Sequence, residues 1–464
     1  MIPPFVKKFD FRGVYNTDIT DRDSYYLGLA LSQTLSPKKV LIGWDTRLSS
    51  KQLALRFMNA LKTKGVTVVY TNECPIDYVT AGANALAVDL SVMFTGSHNP
   101  WNWTGLLMHT KGGESITGIL VEEILKNYTD VQNEPYVGEN TPLSDFENIT
   151  ETLETLYTEK LKTLIPLKEI KPFSILVDIG DGSGDKALKL LEKLLPYVTF
   201  EKINNRGVYD ADSSHTADPS NLENMQDLIT GMKEKSYDAG FAFDSDADRV
   251  LGVDETGNYL NGSLLGSAIV DVFSKLQFAD TKFGYAVDCG VSFYNTVKQH
   301  KNCTVQPLPV GRSLMRNMIK DNTIDVAIEN VGHFYIRDFF MTDSAVFTIA
   351  VLLYWMSTNG SISSLAEKHP DGQREQLFVP LSETSNAVSA LVFKKLQELY
   401  PNQEIKKIEV DGIRFEVKEK NELHTWFSMR QSGYEKIQKY FFGSLNKETF
   451  GTLQKTIKEA LAIS

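Results

Sequence analysis

Short apolar runs recur through the first three-quarters of the chain, each closed by Gly, Asp or a polar turn: Val40–Gly43, Val66–Tyr70, Ser174–Asp178, Ala239–Asp244, Gly284–Asp288 and Ile324–Glu329. Runs this short with such borders predict buried strands. Helical patterns lie between them. Over Asp185–Leu195, the residues Ala187, Leu188, Leu191, Leu194 and Leu195 share one helix face. Repeated strand–helix units predict α/β domains with largely parallel sheets. Glu151–Ile165 carries Leu153, Leu156, Leu161 and Leu164 at helical spacing after the polar loop Asn133–Asn148, and is expected to open a second domain. The strands before Asp244 and Asp288 restart the pattern. After the break at HPDGQ near residue 370 the pattern changes. Ile405–Val417 and Leu423–Met429 read as antiparallel strands, and Lys447–Leu461 as a closing helix with Phe450, Leu453, Ile457 and Leu461 on one side. The expected domains are therefore residues 1–150, 151–256, 257–370 and an α+β domain at 371–464.

Composition narrows the function classes. The 464 residues carry a formal net charge of −11, which repels polyphosphate backbones and excludes a general nucleic-acid binder while leaving room for a local anion pocket. Three cysteines, Cys74, Cys289 and Cys303, rule out a disulfide scaffold and any CxxC zinc site. No apolar run reaches about 18 residues, so no transmembrane helix is expected. The start, MIPPFVKKFDFRG, lacks an apolar h-region, so no signal peptide is expected and the compartment read from the sequence is the cytoplasm.

The stretch AGFAFDSDADR, residues 239–249, carries the most chemistry. A strand delivers Asp244, Asp246 and Asp248 at two-residue spacing, followed by Arg249. Three carboxylates this close repel one another, and a divalent cation relieves the repulsion. Oxygen ligands suit Mg²⁺, with room left for a phosphate oxygen and water. A solvated acidic turn is the plain alternative. An EF-hand is excluded, because Arg249 stands where the loop needs Gly and a strand precedes it. A haloacid-dehalogenase-type D-x-D nucleophile pair fits less well than a metal cage, because position 248 is a third Asp.

FTGSHNP, residues 94–100, ends another strand-like run, Leu90–Phe94. Gly96 lets backbone approach a ligand and Asn99-Pro100 starts a turn, so Ser97 is a candidate nucleophile on an exposed turn. A plain turn with a solvent-facing Ser is the alternative. A Ser–His–Asp triad is not expected, because the sequence neighbours Ser97 and His98 need not face each other. No GxSxG elbow and no GxxxxGK[ST] loop occurs.

The two loops in this order resemble the α-D-phosphohexomutase superfamily, and the chain is phosphomannomutase/phosphoglucomutase-like. Ser97-His98-Asn99-Pro100 is similar to the phosphoserine loop T-A-S-H-N-P, and Asp244–Arg249 to the metal loop D-G-D-x-D-R. Glu329-Asn330-Val331-Gly332-His333 resembles the sugar-reading G-E-x-S-G-H. Arg430-Gln431-Ser432-Gly433-Tyr434-Glu435 resembles the phosphate-binding R-x-S-G-T-E-P. Phe9–Gly13, Gly43–Ser50, His215–Pro219 and Val310–Met315 add lesser matches.

The resemblance implies four domains around a central cleft: three related α/β domains with mixed sheets, and a C-terminal TATA-binding-protein-like α+β domain. They would bring, in turn, the phosphoserine, metal, sugar-binding and phosphate-binding loops. It implies an isomerase that moves a phosphoryl group between the 1- and 6-positions of glucose or mannose phosphate. Phosphoserine and a bisphosphorylated sugar are the intermediates, Mg²⁺ is the cofactor and a hexose 1,6-bisphosphate the primer. Ser97, Arg12, His98 and Arg249 are the implied catalytic residues. Ser97, Asp244, Asp246 and Asp248 are the implied metal ligands. Glu329, His333, Arg312, Arg430, Ser432 and Gly433 are the implied substrate contacts. The expected partner is a small phosphosugar, with no nucleic acid or membrane, and the chain is expected to be a monomer or dimer.

Departures from the pattern fall on proton shuttles. A Lys ten residues after the serine is Leu107 here, the His of T-G-H-S-L-I is Arg312, a basic residue after the Gly284–Asp288 strand is Cys289, and the Ser of the sugar loop is Val331. Arginine cannot act as a base near neutrality. His98, His333 and Lys111 are the side chains left to move a proton. Two further readings follow: a non-catalytic phosphosugar-binding relative, and a phosphoglucosamine mutase.

Overall fold

The structure is a computed structural model and describes residues 3–7, 10–138, 141–276, 280–381, 385–432 and 436–463. Phe9 of the N-terminal match and Gly433-Tyr434-Glu435 of the phosphate loop therefore lie outside the described residues. The chain divides into two compact units, one made of residues 1–259 and 335–357, the other of 260–334 and 358–464.

The first unit begins with β1 (Phe11–Val14), α1 (Asp21–Leu35), β2 (Lys39–Trp44), α2 (Leu48–Thr63), β3 (Thr67–Glu73), α3 (Ile76–Ala85), β4 (Leu90–Phe94), β5 (Trp103–Thr110), α4 (Ile119–Val131) and β6 (Glu147–Asn148). Its six-stranded sheet has the order β1-β5-β4-β2-β3-β6. β2, β3 and β4 are parallel, whereas β5 runs antiparallel to both β4 and β1. Strands β2 and β4 are apolar along most of their length because the helices bury both faces. Gly105 lets β1 pair tightly with β5: a Cβ there would lie 2.1 Å from the Phe11 carbonyl oxygen.

Then follow α5 (Thr150–Leu164), β7 (Ser174–Asp178), α6 (Asp185–Leu194), β8 (Thr199–Ile203), α7 (Gln226–Glu234), β9 (Ala239–Phe243), β10 (Val250–Asp254) and β11 (Tyr259–Leu260), in a sheet of order β11-β10-β9-β7-β8. β7, β8 and β9 are parallel, and β10 returns antiparallel to β9. The tight β9–β10 return gathers the acidic residues between them into one buried loop.

The third segment comprises α8 (Gly262–Lys275), β12 (Lys282–Ala286), α9 (Val291–Gln299), β13 (Thr304–Leu308), α10 (Arg312–Lys320), β14 (Val326–Ile328), β15 (Phe334–Ile336), β16 (Thr342–Asp343), α11 (Ala345–Asn359) and α12 (Ser364–Lys368). β12 is parallel to β13 and β14, and β15 pairs antiparallel with β16. Helix α11 is buried from Ala345 to Ser357, which is why it is apolar all round.

The last segment holds β17 (Gln373–Pro380), α13 (Ser385–Leu399), β18 (Ile405–Ile408), β19 (Ile413–Glu419), β20 (Glu422–Gln431), β21 (Ile437–Ser444) and α14 (Lys447–Leu461). Its five strands, ordered β17-β21-β20-β19-β18, are all antiparallel. The run Ile405–Val417, expected as one strand, is two. Asp411 and Gly412, with φ of 51° and 102°, turn the chain in the middle of it, a conformation that Asp tolerates and Gly favours. Among the described residues no helix is long and apolar enough to cross a membrane.

Candidate functional site

β4 carries the chain into the turn Thr95–Pro100. The Thr95 hydroxyl accepts from the Ser97 N–H at 2.7 Å, and the Gly96 carbonyl accepts from the Asn99 N–H at 3.2 Å and side-chain amide at 2.8 Å. Ser97 sits in the left-handed region at φ 48°, which costs a non-glycine residue about 1 kcal/mol or more and persists only where its surroundings hold it. That backbone folds Ser97 Oγ to 3.2 Å from His98 Nδ1. The two neighbours meet, although adjacency alone does not require it, and Ser97 is buried and not on the exposed turn that was expected.

The turn between β9 and β10 gathers the three carboxylates. Asp244, Asp246 and Asp248 are all buried, with ligand oxygens within 4.8 Å of one another. Asp244 Oδ1 accepts the N–H groups of Asp248 and Arg249 at 3.1 Å each, closing the turn around Ala247 at φ 55°. Two helix starts hold the loop from outside: the Ile76 N–H of α3 donates to the Asp246 carbonyl and the Ala345 N–H of α11 to that of Ala247, both at 3.0 Å. First-turn N–H groups lack intrahelical acceptors and carry the positive end of the helix dipole, so they suit an anionic loop. Burial, then the neighbouring Asp246, push the Asp244 carboxyl well above its ordinary range, while Arg249 opposes them. Asp246 Oδ1 is buried with no hydrogen-bond partner. Buried, acceptor-only oxygens converging this way fit a hard divalent cation.

The serine and metal loops meet. Ser97 Oγ lies 3.4 Å from Asp244 Oδ2. The Thr95 hydroxyl is 3.0 Å from Asp246 Oδ2 and 2.8 Å from Asp45 Oδ2. Arg249 Nη2 is 2.8 Å from His98 Nδ1; a guanidinium only donates, so Nδ1 accepts and the imidazole proton sits on Nε2. Arg249 also reaches Asp218 at 3.5 Å.

A buried arginine ties the site together. Arg47 donates from Nη2 to the carbonyls of Ser97 and Asn99, each at 2.7 Å, and from Nη1 to Ser245 Oγ at 2.7 Å, and it pairs with Asp45. Its guanidinium lies 4.6 Å from the ring centre of Tyr209. Asp45, Arg47, Thr95, Tyr209 and Ser245 had no role in the sequence reading. The Gly43–Ser50 match was a signal for Asp45 and Arg47; for Tyr209 there was none.

The other expected residues fall as follows. Arg12 on β1 is buried and pairs with Asp10 at 2.9 Å; it stands opposite Gly105, whose carbonyl accepts the Thr95 N–H at 3.1 Å. Leu107 pairs with Met93 at the serine end of the β4–β5 ladder. Lys111 follows the Leu90–Thr110 pair at the opposite end of that ladder, away from Ser97, and so is not a stand-in for the missing lysine. In the second unit, Glu329 and His333 are buried at the two ends of a turn closed by the Glu329 N–H and the His333 carbonyl at 2.9 Å. Asp411 accepts from Arg430 Nη1 at 3.3 Å and from the Val310 N–H at 3.2 Å, which sets Arg430 beside the start of α10, where Arg312 lies. Ser432 follows on the end of β20.

Family models for the phosphoglucomutase/phosphomannomutase alpha/beta/alpha domains I, II and III match residues 5–135, 155–257 and 266–372. A phosphomannomutase of Methanocaldococcus jannaschii is 25% identical over 98% of this chain and 97% of its own. A phosphoglucosamine mutase of Ruminiclostridium cellulolyticum is 27% identical over 76% of this chain and 79% of its own. A phosphoglucomutase/phosphomannomutase family protein of Burkholderia thailandensis, solved by crystallography, superposes with a TM-score of 0.81 at 22% identity, covering 99% of this chain and 97% of that one. A buried carboxylate trio against a strained serine, on domains that match these models in order, places the chain in the phosphoglucomutase/phosphomannomutase family of phosphohexomutases.

Proposed function

We propose that the protein interconverts the 1- and 6-phosphates of glucose or mannose through a phosphorylated Ser97. The observation that carries this reading is the approach of Ser97 Oγ to Asp244 at 3.4 Å beside a buried carboxylate trio. In the first half-reaction the P–Oγ bond breaks and a bond forms from phosphorus to the free hydroxyl of the hexose monophosphate. The proton of that hydroxyl ends on Ser97 Oγ, which leaves as the free serine hydroxyl, and a hexose 1,6-bisphosphate results. After the sugar turns over, its other phosphoryl group returns to Ser97.

The chain's contribution is positioning and charge neutralisation. Phosphoserine brings about −2 charge. Asp244, Asp246 and Asp248, with an oxygen on Ser97, would hold Mg²⁺, which when bound neutralises that charge. Arg249 and Arg12 would add donors at the phosphoryl oxygens. His98 Nδ1, kept an acceptor by Arg249, leaves Nε2–H to donate to the transferring group. Arg312, Arg430, Ser432 and Gly433 would hold the phosphate that does not react, and Glu329 and His333 the sugar hydroxyls. A site that hydrogen-bonds hydroxyls rejects analogues that lack them.

The experiment is intact-mass analysis of the purified protein after glucose 1,6-bisphosphate is added, followed by a coupled assay on glucose, mannose and glucosamine phosphates. One phosphate on Ser97 and turnover of glucose or mannose phosphate are expected. Full activity in Ser97→Ala overturns the reading. Preference for glucosamine phosphate moves the chain to the phosphoglucosamine mutases, and binding without turnover makes it a non-catalytic relative.

A further inference from the structure

Two hydrogen-bonded links join the serine turn to the acidic loop, one on each side of Ser97. On the N-terminal side the Thr95 hydroxyl, which holds the Ser97 N–H at 2.7 Å, lies 3.0 Å from Asp246 Oδ2. On the C-terminal side the Ser245 hydroxyl donates to the Ser97 carbonyl at 2.7 Å. The direction of this second bond is fixed. Arg47 Nη1 reaches Ser245 Oγ at 2.7 Å, and a guanidinium only donates, so Oγ accepts there and its single proton is left for the Ser97 carbonyl. Arg47 Nη2 donates to the same carbonyl at 2.7 Å, which fills both of its lone pairs and closes a ring of three hydrogen bonds. Arg47 and Ser245 are fully buried, and in such surroundings each bond polarises the next.

The two links differ in what else they serve. Thr95 has one proton for two carboxylates, Asp246 at 3.0 Å and Asp45 at 2.8 Å, and Asp246 is also one of the three acidic residues that would hold a cation. The Ser245 hydroxyl carries no charge, and Ser245 is not one of that acidic trio. Its own backbone is held from the far side. The Ser245 carbonyl accepts from the Ser183 N–H at 2.8 Å and from the Ser183 hydroxyl at 3.0 Å. Gly182 lets that segment close in, since a Cβ there would lie 2.7 Å from Ser245 Cα. The metal loop that this stretch resembles, D-G-D-x-D-R, has glycine at this position, so the hydroxyl belongs to this chain and not to the pattern.

We propose that Ser245 is a positioning residue for phosphoryl transfer: its hydroxyl holds the Ser97 backbone in register with the carboxylate trio and so aims Ser97 Oγ. With the N–H and the carbonyl of Ser97 both held, rotation about χ1 is the freedom left to the side chain. Without the Ser245 bond the carbonyl keeps one donor of two, and its plane is free to tilt about the Arg47 contact. A displacement of about 1 Å at a reacting group costs about 100-fold in rate. The inference rests on the mutase reading above and deepens it.

The test compares Ser245→Ala with Ser183→Ala, which removes a buried hydrogen bond to the same residue from the side away from Ser97. Each is assayed on whichever of glucose 1-phosphate and mannose 1-phosphate the wild type turns over, and its Mg²⁺ dissociation constant is measured by calorimetry. Ser245→Ala is expected to lower kcat about 10- to 100-fold, with KM and the Mg²⁺ dissociation constant within about threefold of wild type. Ser183→Ala is expected to keep kcat within about twofold. Ser245→Cys keeps the volume and offers only a weak S–H donor, so it is expected to slow as Ser245→Ala does, and it carries the test if Ser245→Ala does not fold. A kcat within about threefold of wild type, a fall matched by Ser183→Ala, or a KM or Mg²⁺ dissociation constant that moves as far as kcat overturns the proposal. Wild-type turnover and phosphate on Ser97 are measured first. Their absence refutes the mutase reading, whereas a Ser245→Ala enzyme as fast as an active wild type refutes only the role of Ser245.

Discussion

Arg47 and Ser245 both donate to the carbonyl oxygen of Ser97, each at 2.7 Å. The backbone of the candidate nucleophile is thereby fixed at once from the N-cap of α2 and from within the acidic loop. Arg47 is fully buried, so no water replaces what it gives.

Arg47→Lys removes the fork and leaves one ammonium where four acceptors stand. A misplacement of about 1 Å costs about 100-fold in rate, so kcat is expected to fall by that order while Mg²⁺ still binds. Arg47→Ala leaves Asp45 buried without its cation and is expected to cost about 3–5 kcal/mol of stability. Steady-state kinetics and urea unfolding check the two halves of this prediction separately.

Asp246→Asn is expected to move affinity and stability in opposite directions. Asp246 Oδ1 is buried and unpartnered, and Oδ2 receives the Thr95 hydroxyl. Asn keeps the shape and removes a charge, so the Mg²⁺ concentration for half-maximal activity should rise at least about 10-fold. In EDTA the same variant should melt higher than wild type, because two buried carboxylates repel less than three. A lower melting point in EDTA refutes this account of the loop.

Most of the fold was legible because its central strands are short and buried on both faces. Ser174–Asp178 and Lys447–Leu461 keep the bounds that their patterns predict. The β18–β19 turn was missed because Asp411 and Gly412 interrupt an apolar alternation that reads through them. The acidic trio and Ser97 were legible from residue type and spacing. Their meeting was implied by the family resemblance and not by spacing, since it depends on two left-handed residues, Ser97 and Ala247, and on donors from α3 and α11 that no local pattern announces.

Gly96 allows the close approach on which the serine loop depends. A Cβ there would lie 2.5 Å from the Trp103 carbonyl oxygen and 2.8 Å from Arg47 Cζ. The first is backbone and the second a buried guanidinium, so neither yields cheaply. Gly96→Ala is expected to destabilise by about 1–3 kcal/mol and to lower kcat more than it raises KM, because the strain falls on the serine and not on the sugar contacts. Thermal melting with parallel kinetics tests this, and an unchanged kcat would count against the assigned geometry.

His215 gives the fold a pH dependence that can be isolated. Its Nε2 is 2.9 Å from Asp178 Oδ2 and its Nδ1 3.0 Å from the Thr216 carbonyl. Burial works to lower its pKa, but the hydrogen bond and charge of Asp178 prevail and raise it from 6.5 to about 9. A folded-state pKa above the unfolded one means that the stabilisation is fully present below pH about 6.5 and is lost as pH rises through about 9. At about 1.4 kcal/mol per unit, the contribution is of the order of 3 kcal/mol. His215→Gln should therefore melt well below wild type at pH 6, and the gap should close by pH 10. Unfolding curves for the pair across that range test the linkage, and two curves that stay parallel would show that the imidazolium–Asp178 contact does not stabilise the domain.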